Sequence, residues 1–266
     1  MSKILGFIGC GNMGQAMLGG IIKSEIFSPE NIIVSRSNED NLKALREKYN
    51  VNITTDNKEV AKKSDILILA VKPNIYLTII EEIKDTIRKE TLIISIAAGR
   101  SIKNIEELFG EEIRLIRIMP NTPVLVGEGI TAICPNRKAS KEDIEQTMAI
   151  LNSFGEVEQI DEKLMDAFIA VAGSSPAYVF MFIEAMADAA VKEGLPRKSA
   201  YKMAAQAVLG SAKMVLETEK HPGELKDMVC SPGGATIEAV LELENRGLRN
   251  AVMKAMEVCA GKARRM

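Results

Sequence analysis

No tryptophan occurs in this sequence, histidine occurs once, and aromatic residues make up only 4%. A lone imidazole leaves little room for histidine-based catalysis. His221 stands beside Pro222 in an expected loop, a poor place for a base. Cysteine is scarce as well. Cys10, Cys134, Cys230 and Cys259 are widely separated and lack metal-ligand spacing, so no metal site is expected and the thiols read as reduced, in a cytoplasmic protein. Neither sign of charge dominates: 34 Lys and Arg stand against 36 Asp and Glu, a formal net charge of −2. That balance provides no basic field for nucleic acid or an anionic membrane. The start, MSKILGFIGCGNMG, has an apolar patch too short and too glycine-rich for a signal peptide. No apolar run reaches about 18 residues, so no membrane span is expected. What is present is an ordinary soluble composition, 47% apolar over 266 residues. This is enough for a sizeable core in one large or two smaller domains.

The first half alternates strands with helices. Lys3–Ile8 reads as a strand, and Gly9-Cys10-Gly11-Asn12-Met13-Gly14 leads from it into an apolar helix through Ile22. A glycine fingerprint between a strand and a helix is the context that dinucleotide binding requires. Gly9 permits the tight turn, Gly11 lets backbone approach a pyrophosphate, and Gly14 allows close packing of helix on strand. The next strand, residues 31–35, ends in Ser35-Arg36-Ser37. An acidic residue there bonds the ribose 2′-hydroxyl of NAD, whereas arginine accommodates a 2′-phosphate. NADPH is thus favoured, with NADH as the second candidate; the competing reading of Arg36 is a solvated loop charge. Further strands are expected at 51–54, 66–71, 91–96 and 114–118, with one more at 131–134. Ile66–Val71 (ILILAV) reads as buried on both faces, in the middle of a parallel sheet. The pattern predicts a doubly wound Rossmann-type α/β domain whose ligands lie beyond the carboxyl ends of the strands. Position alone therefore places Ser35, Lys72, Ala98 and Asn121 on the functional rim, and Ala70, Val71, Pro73 and Ala97 beside them are further cofactor-contact candidates. Asn57 is either an adenosine-side contact or a helix cap. The small residues Ala97-Ala98-Gly99 would let a flat nicotinamide approach backbone, and at Lys72-Pro73 the backbone is favoured over the ammonium as the contact.

From Asp161 onward no strand pattern appears. Ser140 is expected to cap a helix ahead of Glu142 and Asp143. Ala177–Val191 is apolar everywhere except Glu184 and Asp188, which lie at i and i+4 on one face. A helix apolar nearly all round must be buried on all sides. About a hundred residues cannot enclose several such helices, so an intertwined homodimer is expected. Asp166, Glu184 and Asp188 read as structural charges, and Ser174-Ser175 as a helix start before Pro176. Ser231–Val240 (SPGGATIEAV) is a Pro-Gly-Gly turn running into a helix start, where the amides of Gly234, Ala235 and Thr236 can hold an anion and the Thr236 hydroxyl adds one hydrogen bond. The alternative is an ordinary turn capping a helix.

Seven segments in order, GFIGCGNMG, LAVKP, SIAAG, RIMPNTP, GSSPAYVF, HPGELKDMVCSPGGATI and LENRGLR, give the chain a resemblance to the pyrroline-5-carboxylate reductases along essentially its whole length. Ser175 departs from the glycine common in GSGPAY. The resemblance implies a dinucleotide-binding domain over 1–160 and an all-α dimerisation and substrate-binding domain over 161–266. It also implies further assembly of dimers into rings, such as a homodecamer. It implies NADPH-dependent reduction of 1-pyrroline-5-carboxylate to L-proline, the last step of proline biosynthesis, with hydride transferred to a cyclic imine. The SPGGAT segment would bind the pyrroline ring, across the dimer interface. The amides of Ala235 and Thr236 would hold its carboxylate, and the Thr236 hydroxyl, the one catalytic side chain, would face the ring nitrogen. Val229 and Ser231 would line the pocket, Glu162 matches a substrate-side position, and Glu219 would orient Thr236.

Two rival functions differ in what they require. A β-hydroxyacid dehydrogenase has a similar pair of domains but needs a base to remove a hydroxyl proton, a lysine about one turn into the helix after Gly173. Here that stretch reads Ala177-Tyr178-Val179-Phe180. A non-catalytic NADPH-binding regulator would keep the glycine fingerprint and need no defined turn at Ser231–Thr236.

Overall fold

The computed structural model describes residues 3–265. Strand β1 (Leu5–Gly9) leads into α1 (Asn12–Lys23), and β2 (Ile32–Ser35) into α2 (Glu39–Tyr49). Then follow β3 (Asn52–Thr54), α3 (Asn57–Lys63), β4 (Ile66–Ala70), α4 (Tyr76–Ile83), β5 (Leu92–Ser95), α5 (Ile102–Phe109), β6 (Arg114–Pro120), β7 (Gly129–Pro135), α6 (Lys141–Leu151) and β8 (Gly155–Gln159). The remainder is helical: α7 (Met165–Phe168), α8 (Ser175–Lys192), α9 (Arg197–Thr218), α10 (Pro222–Val229), α11 (Ala235–Asn245) and α12 (Leu248–Ala263).

The eight strands form one sheet in the order β3-β2-β1-β4-β5-β6-β7-β8. All pairs are parallel except β6 with β7. This is the expected doubly wound arrangement, reversing at β1/β4, with chain direction turning back at the β6–β7 hairpin. Every residue of β4 is buried, as the ILILA run requires of a strand covered on both faces. One apolar layer joins Phe7, Leu18, Ile21, Ile68, Ile94 and Phe154; the other joins Ile8, Leu67, Leu69, Tyr76, Ile80 and Ile105. Strand β8 (GEVEQ) was not expected: its residues are largely exposed at the sheet edge, and alternating glutamates hide the strand pattern. Helix α5 was also not expected, although Ser101 caps it by accepting from the Asn104 amide at 3.1 Å.

Contacts divide the described chain into two compact units: residues up to 173 together with those from 260 on, and Ser174–Cys259. The division falls further along the chain than the expected boundary at 160. The reason is local: Met165, Phe168 and Ala172 pack with Met119, Ala132 and Cys134, so residues 162–173 belong to the first unit's core. Within the second unit α8 and α9 pack on each other, and Asp188 pairs with Arg197. Many apolar side chains there remain exposed, among them Phe180 at 61%, Met181 at 69% and Leu216 at 77%. The helical stretch Glu162–Lys192, which contains an 18-residue window of mean hydropathy 1.5, is long and apolar enough to cross a membrane by length and composition. Ala177–Val191 by itself is too short for this. The helical turns of α7 and a π-helical turn at Ile169–Gly173 extend that segment toward the N-terminus.

Helix α6 begins as its sequence predicts. Ser140 Oγ accepts from the Asp143 amide at 3.2 Å, and Asp143 Oδ2 accepts from the Ser140 amide at 2.8 Å, a complete capping box. The same buried carboxylate accepts from Arg114 Nε at 3.0 Å and pairs with Arg114 Nη2. Burial raises the Asp143 carboxyl, but the hydrogen bonds from Arg114 and Ser140 outweigh it and hold the group below the ordinary carboxylate range. A depressed folded-state value contributes stability that is present above the ordinary carboxylate pKa and lost as pH falls through the folded value. Asp143→Asn is expected to lower unfolding free energy at pH 7 by about 1–3 kcal/mol. The gap to wild type should shrink below about pH 4. Urea denaturation at both pH values checks this, and a gap that persists unchanged into acid would contradict the assignment.

Candidate functional site

The carboxyl ends of β1, β2, β4, β5 and β6 bring most of the sequence-predicted cofactor residues to one rim of the first unit. At β1 the chain leaves the sheet through Gly9, whose φ of +85° suits glycine, and a Cβ there would run into the Ala70 carbonyl. The register explains this: Gly9 is the strand partner of Ala70. Gly14 lies where a Cβ would meet Ala70 Cβ at 3.3 Å and Cys10 Sγ at 3.4 Å, the close helix–strand approach expected of it. Gly11 is different. Its φ of −68° is open to any residue, and a Cβ would meet nothing within 4 Å. The protein's own packing therefore does not require glycine at this position. A group lying against the backbone would.

Gly11 is also the N-cap of α1, with no side-chain cap and no acidic residue in the first turn. The amides of Asn12, Met13 and Gly14 lie in that turn, the arrangement that receives a phosphate. The open cradle and the uncapped turn fit a dinucleotide's pyrophosphate. Cys10 is 1% exposed, and burial pushes its thiol up to about 12, with the charge of nearby Arg36 acting in the opposite direction. Arg36 is thereby placed within electrostatic reach of the glycine loop. It is half-buried, while Ser37 is exposed.

Three expected contacts have their side chains committed within the protein. Ser35 is fully buried and donates to Asn57 Oδ1 at 2.7 Å, and Asn57 Nδ2 donates to Glu82 at 2.9 Å. Asn57 is not the cap of α3; Asp56 is, accepting from the Lys58 amide at 2.8 Å. Asn121 is 7% exposed, donates to the Ala172 carbonyl at 3.1 Å and accepts from the Ile130 amide at 2.9 Å. Its side chain is thus engaged within the first unit at the end of β6. Lys72 is exposed and begins a short 3-10 turn over Pro73–Ile75. Ala97 is buried and Ala98 half-buried at the end of β5.

The sequence did not single out the ties between these loops. Arg100 donates to the Pro73 carbonyl at 3.1 Å, and the Tyr76 hydroxyl is bonded to both Leu69 and Ser95. The legible signal was a polar residue closing an otherwise apolar strand, as Ser95 does in LIIS. Glu162 is likewise engaged within the first unit, its Oε1 accepting from the Ile102 amide and from Arg117, each at 2.7 Å.

In the second unit Gly234 is the N-cap of α11, again without a side-chain cap. One correction applies. The Gly234 amide donates to the Ser231 carbonyl at 3.0 Å, so the Pro-Gly-Gly turn consumes it and it is not free for an anion. The amides of Ala235 and Thr236 follow in the helix's first turn, and Ser231, Ala235, Thr236 and Val229 are exposed. Among the described residues no bond joins Glu219 to Thr236; Glu219 ends α9 in the left-handed conformation, φ 54°. His221 lies at the start of a helix, not in a loop: its Nδ1 accepts from the Gly223 amide at 3.0 Å and caps α10. Ser174 makes no cap bond and instead accepts from Cys259 at 3.1 Å. The first turn of α8 contains no lysine, so the base needed by a β-hydroxyacid dehydrogenase is missing from its expected place.

The comparisons with known proteins agree along the whole chain. A family profile described as pyrroline-5-carboxylate reductase dimerisation matches residues 162–266, and one described as NADP oxidoreductase, coenzyme F420-dependent, matches residues 4–99. A pyrroline-5-carboxylate reductase of Escherichia coli (strain K12) is 50% identical over 266 residues, covering 100% of this chain and 99% of the relative. The structure of a pyrroline-5-carboxylate reductase from Coxiella burnetii matches with a TM-score of 0.93 at 35% identity, covering 100% of this chain and 98% of that one. The Plasmodium falciparum pyrroline carboxylate reductase with NADP bound matches with a TM-score of 0.89 at 36% identity, over 99% and 97% of the two chains. On a full-length identity of one half, with the fold and the glycine fingerprint in agreement, this chain belongs to the pyrroline-5-carboxylate reductase family.

Proposed function

We propose that this protein reduces 1-pyrroline-5-carboxylate to L-proline with NADPH. The observation that carries the reading is the match to a reductase of that name over the entire chain. The NADP held by the Plasmodium falciparum relative supports the choice of cofactor, as does Arg36 at the end of β2. When bound, the reduced nicotinamide supplies a hydride.

The chain's own residues supply position and charge. The open cradle at Gly11 and the first turn of α1 receive the pyrophosphate, and Arg36 with Ser37 receives the 2′-phosphate. The backbone at Ala70–Pro73 and Ala97–Ala98 borders the nicotinamide end. The amides of Ala235 and Thr236 hold the substrate carboxylate at the uncapped start of α11. The Thr236 hydroxyl faces the ring nitrogen, with Val229 and Ser231 beside the ring. With nitrogen entering already protonated, the C=N π electrons would pass to it as the imine carbon is reduced. No strong acid has to be built in, and placement together with complementarity to a zwitterion carries the catalysis. This reading departs from the sequence expectation at Gly234, whose amide the turn consumes, and at Glu162, which, tied to Arg117 and Ile102, acts by holding the rim of the first unit.

The finer reading of assembly is a cytoplasmic, intertwined dimer, with dimers closed further into a ring. Exposed Phe180, Met181 and Leu216 support it, since apolar helix surface of this kind requires a partner.

Three variants test the reading. With NADPH and 1-pyrroline-5-carboxylate the wild type is expected to turn over, and Thr236→Ala to lose about 1–3 kcal/mol in kcat/KM. An inactive wild type defeats the assignment, while an unaffected variant removes only the role of Thr236. Arg36→Asp should raise the KM for NADPH and leave that for NADH nearly unchanged, as steady-state kinetics with each cofactor will show. Gly11→Thr keeps a competent helix cap, so the melting temperature should stay within about 2 °C of wild type. NADPH binding by fluorescence titration should nevertheless weaken by roughly tenfold or more, since a Cβ and its branches fill the cradle. Undiminished binding would show that no pyrophosphate lies there.

A further inference from the structure

Among the described residues Tyr76 is the largest fully buried side chain, and its hydroxyl lies beneath the rim. It is 2.9 Å from the Leu69 carbonyl, to which it donates, and 2.8 Å from Ser95 Oγ. A tyrosine has one hydroxyl proton. With that proton given to Leu69, the Ser95 hydroxyl must donate to Tyr76. Ser95 Oγ in turn accepts from the Ala97 amide at 3.4 Å. The bonds therefore run in one direction, from the Ala97 amide through the Ser95 and Tyr76 hydroxyls to the Leu69 carbonyl. Leu69 precedes Ala70 at the end of β4, and Ala97 opens the loop at the end of β5. Above this chain Arg100 adds a second tie, donating to the Pro73 carbonyl at 3.1 Å and to Asn104 Oδ1 at 3.1 Å.

The sheet does not supply this link. Ladder pairing between β4 and β5 ends at Leu69 with Ser95, and the next bond, from the Ile96 amide to the Leu69 carbonyl, is long at 3.5 Å. Beyond that point, among the described residues, the hydrogen bonds that join the two loops come from side chains. Burial makes the link unusually specific. Removing the phenol oxygen would leave the Ser95 hydroxyl and the Leu69 carbonyl without that partner in a dry interior, where water cannot enter without disturbing the packing.

We infer that Tyr76 is a positioning residue for the cofactor, its hydroxyl setting the spacing of the Ala70–Pro73 and Ala97–Arg100 loops that border the nicotinamide half. The inference rests on the proposed placement of NADPH along this rim. It predicts an effect confined to one end of the dinucleotide. The adenosine and 2′-phosphate end is bordered by Arg36 and the Ser35–Asn57–Glu82 chain, which share no hydrogen bond with Tyr76.

The test compares two ligands by isothermal titration on the intact protein: NADPH, and adenosine 2′,5′-bisphosphate, which lacks the nicotinamide half. Tyr76→Phe keeps the ring and its burial. It is expected to weaken NADPH roughly fivefold to tenfold, the size of one or two hydrogen bonds. Affinity for adenosine 2′,5′-bisphosphate should stay within twofold of wild type. Ser95→Ala breaks the same chain from its other side and should reproduce the selective loss. It carries the test alone should Tyr76→Phe not fold. The double variant should lose little more than either single variant, since one chain cannot be broken twice. An equal loss for both ligands would reveal a general structural role, and no loss for either would show that loop spacing does not depend on the hydroxyl; each overturns the inference. A wild type that binds neither ligand would instead overturn the cofactor reading itself.

Discussion

The parallel pairing of β1 with β4 is the constraint on which the first unit depends. It sets Gly9 opposite Ala70, so closely that no Cβ fits between the first loop and the neighbouring strand end. Because both strands are buried within the sheet, their carboxyl ends cannot drift apart without exposing the apolar layers on either face. From that fixed point the chain turns into α1 with its first-turn amides uncapped, and the loops after β2, β5 and β6 are carried to the same edge. The site is thus a consequence of strand direction before it is a consequence of any side chain. Where backbone pairing ends, polar side chains take over: Asn57, Tyr76, Arg100 and Asn121 each join one loop to another.

The second unit follows a different physical logic. Its helices are apolar on more faces than the unit itself can cover, and their hydrophobic side chains remain exposed in the single chain. A family profile named for dimerisation covers this region. The hydrophobic effect that closes the first unit upon itself therefore acts, in the second, between copies. This accounts for the exposed apolar faces of α8 and α9.

How much could be read from residues alone depended on whether a feature was local. The capping box of α6, the buried β4 and the alternation of strands and helices were all legible, because a few neighbouring residues determine each of them. Strand β8 was not, since its glutamates face water on a sheet edge and only pairing with β7 makes it a strand. Ser35, Asn57 and Asn121 could be placed at the rim by position. Their engagement with one another and with Glu82, Ala172 and Ile130 depends on contacts distant in sequence, which no spacing reveals. The same holds for Glu162, whose partners Ile102 and Arg117 lie far back along the chain. The motif SPGGAT identified a helix start correctly. It could not reveal that the turn itself uses the Gly234 amide.

Cys10, the one side chain between the first two glycines of the fingerprint, has a chemical consequence of its own. With its thiol pushed up to about 12 by burial, the neutral thiol prevails over the thiolate at neutral pH. Alkylating agents, peroxides and mixed disulfides all react through the thiolate, so the sulfur here behaves as a small apolar filler. Of the two sulfurs in the nucleotide loop, that of Cys10 is thereby a poor target for oxidants, whereas the half-buried thioether of Met13 needs no ionisation to be oxidised.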